Sequence, residues 1–192
     1  MSAVAAIESD ALADHARRAG LVVHASAGWP ESTQDTEPPA LAGFVLSSFS
    51  PLVAEVAERC LRRAYGQPPA DPARGSRTAL VLLSALGDVA SAVRVAHAVD
   101  TGARVAPLLF FQSVPNAVAG YVSARWGLTG PVACLSATGD GLDAAALLIE
   151  DGDADEALVI LVAQALTGGE RDHAAGVLVA RSSTLDIEGE RR

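Results

Sequence analysis

Apolar runs and helical stretches alternate along this chain and predict an α/β domain with a mixed, mostly parallel sheet and helices on both faces. Three observations carry that expectation. Residues 78–83 and 156–163 are apolar runs without polar alternation, the pattern of strands covered on both faces. Residues 132–163 read as strand, tight turn, helix, strand, with Gly130-Pro131 before the strand and Gly139 and Gly141 in the turn. The helix of that unit, 142–149, is apolar nearly all the way round and is expected to be buried on every side.

The other elements follow in chain order. Val4, Ile7, Ala11 and Leu12 give residues 3–18 the spacing of an amphipathic helix, and 21–25 read as the first strand. Three prolines with Gly, Ser and Thr mark 27–42 as a loop, followed by a short extended piece at 43–47. Ser50 reads as an N-cap with Pro51 at the first helical position. Leu52, Val53, Val56, Ala57, Cys60, Leu61 and Ala64 then form one apolar stripe. Glu55 with Arg59, and Glu58 with Arg62, pair on the wet face. A Pro/Gly loop, 66–77, leads to the strand at 78–83, and Gly87-Asp88 opens a helix to about residue 99. Residues 102–115 read as mostly irregular, although Leu108, Leu109, Phe110 and Phe111 in a row need a cover. Pro115 begins a helix to Trp126 with a small-residue face of Ala117, Gly120 and Ala124. After the central unit, Gly168-Gly169 turns the chain into a last strand, 173–181. The expected organisation is an N-terminal extension (1–19) with helical spacing, one domain (20–182) and a polar tail (183–192).

Half of the residues are apolar, enough for a full hydrophobic core in a chain of 192. A net charge of −9 argues against nucleic acid as a partner, because phosphate binding needs clustered Lys and Arg. Only Cys60 and Cys134 are present, which points to a reducing cytoplasm and no disulfide framework. Glu8, Asp10 and Asp14 rule against a signal peptide, and no apolar run approaches the ~20 residues that span a bilayer.

The motifs of the central region resemble the ketosynthases of fatty-acid and polyketide assembly. Gly130-Pro131, the strand, the turn, Gly141-Leu142 and the acidic 151–159 segment occur in that family's order. The preceding 114–128 stretch is similar to the family's helix before that strand, and the resemblance covers roughly 78–181. It implies half of a thiolase-like fold. A whole ketosynthase has two such halves, with their central helices packed together between the sheets. The family places its cysteine nucleophile at the start of the central helix. Here that position falls on Gly139 when counted from Gly130-Pro131, and on Thr138 when counted back from Leu142. Cys134 lies earlier, within the strand, where a thiol is expected to be buried, inert packing. The family's catalytic histidines come from a C-terminal half for which 192 residues leave no room.

The turn 136–141 is where chemistry would sit, since a helix N-terminus offers free N–H groups and a positive dipole end. Asp140 reads as a helix cap. Thr138 would need an adjacent base to act as a nucleophile. Gly139, Gly141 and Ala144 outline a dinucleotide fingerprint, but 162–164, where the confirming acid belongs, is Val-Ala-Gln. His15, His24, His97 and His173 lack metal-ligand spacing, and a Ser136, Asp172, His173 triad has no support beyond composition. No cofactor and no metal are expected.

Two functional readings result. The first follows the short ketosynthase-like proteins of type II polyketide and aryl-polyene systems that act like chain-length factors. It is a non-catalytic subunit that pairs with a complete ketosynthase and meets acyl carrier protein through that complex. Its expected interface comprises the 131–136 strand and the 115–126 helix, including Gly120, with Phe110, Phe111, Gln112, Val114 and Asn116 lining the acyl tunnel. The second is a stand-alone enzyme on acyl thioesters (a hydrolase, dehydratase or acyltransferase) built as a half-fold homodimer.

Overall fold

The computed structural model describes residues 3–105, 107–136, 141–166 and 170–182. The elements are α1 (Ala3–Arg18), β1 (Leu21–Trp29), α2 (Phe49–Tyr65), α3 (Pro72–Gly75), β2 (Thr78–Leu83), α4 (Val89–Thr101), α5 (Pro107–Gln112), α6 (Pro115–Trp126), β3 (Val132–Leu135), α7 (Gly141–Glu150), β4 (Glu156–Ala163) and β5 (His173–Arg181). The strands form one mixed sheet in the order β1-β5-β4-β2-β3. β2 pairs in parallel with both β3 and β4, and β5 pairs antiparallel with β4 and β1. Four strands therefore run one way and only β5 is reversed.

Alternation along the central strands feeds two cores. Leu80, Leu82, Leu158, Ile160 and Leu178 point to the face carrying α2 and α6. Ala79, Val81, Val159, Val177 and Val179 point to the face carrying α1 and α7. On α2 the apolar stripe from Leu52 to Leu61 is fully buried, each large side chain contributing about 1.5–3 kcal/mol. Gly176 of β5 leaves room for this helix, since a Cβ there would lie 2.7 Å from Val56 Cγ1.

Several expected boundaries move for identifiable reasons. β1 runs on to Trp29, through the start of the expected loop, because Ala27, Gly28 and Trp29 pair with Gly176, Ala175 and Ala174. α2 begins at Phe49, not after Ser50, and its cap residue is Ser48. Pro51 is tolerated because the first four N–H groups of a helix need no intrahelical partner; the first such bond is Leu52 N–H to Ser48 O. The 43–47 piece is no strand, and only an isolated Leu41–Phe44 bridge forms nearby. Within the 66–77 loop, Asp71 caps the one-turn α3 through the N–H groups of Ala73 and Arg74. Residues 107–112, expected to be irregular, form α5.

The central helix differs more. α1 packs on β1 and β5 while α7 packs on β2, β4 and β5, so they lie side by side on the sheet. Asp143, Leu147 and Glu150 face away from it, and Leu147 is 57 % exposed. One sheet covers one side of a helix, so uniform apolarity did not produce burial all round.

Ion pairs fasten the connections. Arg59 Nη1 and Nη2 donate to Asp35 at 2.9 and 2.8 Å and Nε donates to Glu55 at 2.7 Å, while the guanidinium stacks over Trp29. Arg63 donates to Glu31 at 2.6 Å. Together these hold the segment after β1 against α2. At the start of β4, Glu156 accepts from Arg74 at 2.6 and 2.7 Å and from Tyr65 Oη at 2.7 Å. Burial raises the Glu156 carboxyl, but the hydrogen bonds from Arg74 and Tyr65 overcome it and hold its pKa below the ordinary value.

Two outcomes test this architecture. A Cβ at Gly130 would lie 2.4 Å from the backbone oxygen of Thr78, so Gly130→Ala must displace β2 or the approach to β3. It should lower unfolding free energy by roughly 1–3 kcal/mol in urea titration. Hydrogen bonds from Arg59 depress the Asp35 carboxyl to a pKa of about 2 from an ordinary 3.8. A depressed folded pKa stabilises the fold above the unfolded value and loses that contribution as pH falls toward the folded one. Asp35→Asn should therefore be less stable at neutral pH and lack the wild type's further loss between about pH 4 and 2, read from urea midpoints across pH.

Candidate functional site

The parallel strands all end on one side of the sheet, where ligands of α/β proteins commonly bind. β2 ends at Leu83, β4 at Ala163 and β3 at Leu135. The segments that leave β2 and β4 are joined to those before α2 and β5 by a polar network that no motif in the sequence announced. Ser47 Oγ donates to Asp88 Oδ1 at 2.6 Å, and Asp88 caps α4 by accepting from Ser91 N–H and Oγ. Gln164 Nε2 donates to the hydroxyls of Ser47 and Ser48, and its Oε1 accepts from Ala90 N–H. Ser48 Oγ donates to Asp172, whose other oxygen accepts from Ala165 N–H at 2.8 Å. Asp172 is thus engaged by Ser48 and Ala165. These side chains are separated by up to 125 positions, so only the capping role of Asp88 was legible beforehand.

Thr138, Gly139 and Asp140 lie outside the described residues. Their flanks are clear. Ser136 leaves β3, and Gly141 starts α7 so close to β2 that a Cβ would stand 2.2 Å from Leu83 Cδ1. Beside Ser136 is a small recess of about 190 Å³ lined by Leu82, Gly87, Pro115, Cys134 and Leu135. Cys134 is half-buried and not fully buried as expected, because β3 is an edge strand; partial burial raises its thiol pKa. Cys60 is the fully buried cysteine, its thiol pushed up to about 12 by burial. A larger cavity, about 580 Å³, lies elsewhere, between Trp29, Phe44, Ser48 and Asp172. Its Ser48 and Asp172 are already bonded within the polar network.

The residues expected to line a tunnel or interface fall on a single continuous region. α6 packs on β2 and β3, and α5 packs on α6. The outer face of α6 shows Asn116, Gly120 and Ala124, and nothing lies within 4 Å of a Cβ built on Gly120. Val132 and Leu135 of the edge strand are exposed, as is Val114 between α5 and α6. On α5, Phe110 and Phe111 are 70 and 66 % exposed and pack only edge to face on each other among the described rings. The cover that four consecutive apolar residues demanded is supplied only for Leu109. Gln112 is buried at 6 % exposure, and its Nε2 and Oε1 have no hydrogen-bond partner among the described residues. α4 adds exposed Val93, Val95 and Val99.

Among the described residues no three His, Cys, Asp or Glu side chains converge as metal ligands. His24 faces Glu156 at 3.4 Å, near the start of β4, and His97 is exposed on α4. No described helix is long and apolar enough to cross a membrane.

Comparison with solved structures finds the same fold in ketosynthases and their complexes. A chain of the Xenorhabdus doucetiae complex of the ketosynthase ApeO with its chain length factor ApeC matches with a TM-score of 0.63 and 18 % identity, over 85 % of this chain and 79 % of that one. A chain of the ishigamide ketosynthase/chain length factor matches with a TM-score of 0.57 and 17 % identity, over 82 % of this chain and 48 % of that one. A β-ketoacyl synthase from Burkholderia phymatum matches with a TM-score of 0.61 and 16 % identity, over 88 % of this chain and 54 % of that one. The chain thus spans about half the length of the latter two. A search of curated proteins found no match. The family model described as "Beta-ketoacyl synthase, N-terminal domain" matches residues 24–169. That span takes in most of β1, all of β2, β3 and β4 and the whole stretch from α4 to β3, and the chain belongs to the β-ketoacyl synthase N-terminal-domain family.

Proposed function

We propose that the protein is a non-catalytic, chain-length-factor-like subunit that pairs with a complete ketosynthase and shapes its acyl tunnel in type II polyketide or polyene biosynthesis. The observation that carries this reading is the continuous uncovered surface of β3, the outer stripe of α6 and the aromatic pair on α5. An edge strand with unpaired backbone groups and an apolar flank is a template for pairing with another chain. The small residues of α6 allow close approach of a second helix. A specific interface buries about 1,200–2,000 Å² in total, and this region supplies its apolar centre.

In this reading the partner contributes the cysteine and the histidines, and acyl groups arrive on a carrier protein docked to it. The counted nucleophile positions hold Thr138 or Gly139, and Thr138, Gly139 and Asp140 serve as the turn into α7. Phe110, Phe111, Val114 and Asn116 border the tunnel at the junction of the two subunits. Aromatic bulk there stops a growing chain by contact.

The test is reconstitution. Co-expressed with a complete ketosynthase from the same genome, this chain should co-purify as a heterodimer. A thiol-reactive acyl mimic should label the partner and leave this chain unmodified. Cys134→Ala should cost roughly 1 kcal/mol of stability and leave the activity of the complex unchanged. A chain that stays monomeric and ignores the ketosynthase would end the subunit reading. Turnover of an acyl thioester by the isolated chain would establish the stand-alone enzyme instead.

In the active complex, Phe110→Ala with Phe111→Ala should shift products toward longer chains, read by mass spectrometry of released acids. An unchanged product distribution from an intact complex would remove these residues from the tunnel.

A further inference from the structure

β1 is an edge strand of the sheet, and an edge offers unpaired N–H and C=O groups to any extended chain. The strand is long, nine residues from Leu21 to Trp29, and LVVHASAGW carries no Asp, Glu, Lys or Arg. A long uncharged edge strand is an aggregation hazard that proteins commonly blunt with charges on the strand itself. Here the charges come from other parts of the fold.

Gly28 N–H donates to Glu31 Oε1 at 2.8 Å, so Gly28, and with it Ser26 two positions earlier, turns its backbone away from β5. Gly28 O accepts from Arg59 Nη1 at 3.3 Å, and Ser26 O accepts from Arg63 Nη1. The same Arg63 donates to both oxygens of Glu31, at 2.8 and 2.6 Å. Glu31 is itself held in place, because its N–H donates to Asp35 Oδ2 at 2.7 Å. Gly28 is buried under these side chains although its strand is at the edge. The first part of the edge is spoiled differently. The register with β5 shifts between Val23 and Ala25, and a bulge turns a backbone out of line with an incoming strand.

We propose that Glu31, Arg59 and Arg63 form an edge guard: they fill the outward hydrogen-bonding groups of Ser26 and Gly28 and bar β1 from pairing with a second copy of this chain. Two β1 edges related by a twofold axis would pair antiparallel, with no charges of the strands set against each other. With the guard in place, an incoming strand must displace two guanidinium groups and a carboxylate and leave them desolvated without partners. The guard is drawn from α2 and from the segment after β1, so it closes only when the two are folded together. It concerns the edge of the sheet remote from β3 and does not depend on the subunit reading.

The experiment compares the full chain with its Glu31→Ala, Arg63→Met double variant, which leaves Arg59 paired with Asp35 and Glu55. Arg63 is exposed and Glu31 half-buried, so the variant should stay folded and melt within about 5 °C of the wild type. In sedimentation at about 0.15 M salt, where charge repulsion is screened, the variant should self-associate at least about tenfold more strongly than the wild type. Hydrogen exchange locates the contact. The Gly28 amide should exchange faster in the variant monomer than in the wild type, and residues 21–29 should become protected as the variant associates. Arg63→Lys keeps a cation that reaches Ser26 O and should behave as the wild type. If the double variant melts far lower, Arg63→Met alone, which frees Ser26 O and leaves Glu31 on Gly28, is read in the same two assays with the same expectations. A folded variant that associates no more than the wild type overturns the guard. So does association that protects 132–135 and leaves 21–29 as in the monomer.

Discussion

β4 is the constraint on which the molecule depends. It is bonded on both sides, in parallel to β2 and antiparallel to β5, and its side chains are divided between the two cores. Leu158 and Ile160 serve the α2/α6 side while Ala157 and Val159 serve the α1/α7 side. A strand that is both doubly paired and doubly covered has no freedom of register, since a one-residue slip would exchange its two faces. The positions of β2 and β5, and through them β3 and β1, follow from this one strand.

The strand is anchored at its first residue. Glu156 is buried with Arg74 and Tyr65 around its carboxylate, and Arg74 also stacks over the Tyr65 ring at 4.1 Å. Such a group stabilises only while its partners remain, because an unpaired buried carboxylate costs several kcal/mol. The anchor joins α2, α3 and β4, elements distant in sequence. At the opposite end of the strand, Gln164 joins the polar network of Ser47, Ser48 and Asp88. The sheet is therefore clamped at both ends, and the uncovered surface lies beyond the clamps, at β3, α5 and α4.

Helices pack on all five strands; β1 and β3 are the two edge strands, and on β3 Val132 and Leu135 are exposed. Apolar side chains in water are expected in any protein, but here they are contiguous and carry a strand edge with them. The same region borders the strand end that leads to the 137–140 turn.

The amino-acid sequence by itself determined the element types and the family. Unbroken apolar runs marked β2 and β4 as interior strands, the Leu52–Leu61 stripe marked α2, and Gly130-Pro131 with the Gly139–Gly141 turn pointed to the ketosynthase half-fold. These signals are local, because hydrophobic periodicity and turn chemistry act over a few residues. Only the tertiary structure decided which apolar surface is covered. The run at 142–149 looked buried on every side, yet Leu147 faces outward because one sheet screens one side of a helix. Residues 108–111 looked irregular and became helical, with Leu109 turned in and both phenylalanines turned out. Cys134 looked fully buried and is half-buried because its strand is at the edge. Of the Ser47–Asp88–Gln164 network only Asp88, as a helix start, was legible, since its members are brought together by the fold and by no spacing along the chain. Burial is a property of what lies opposite a residue, and that is settled by packing across the fold, not by the residues next to it.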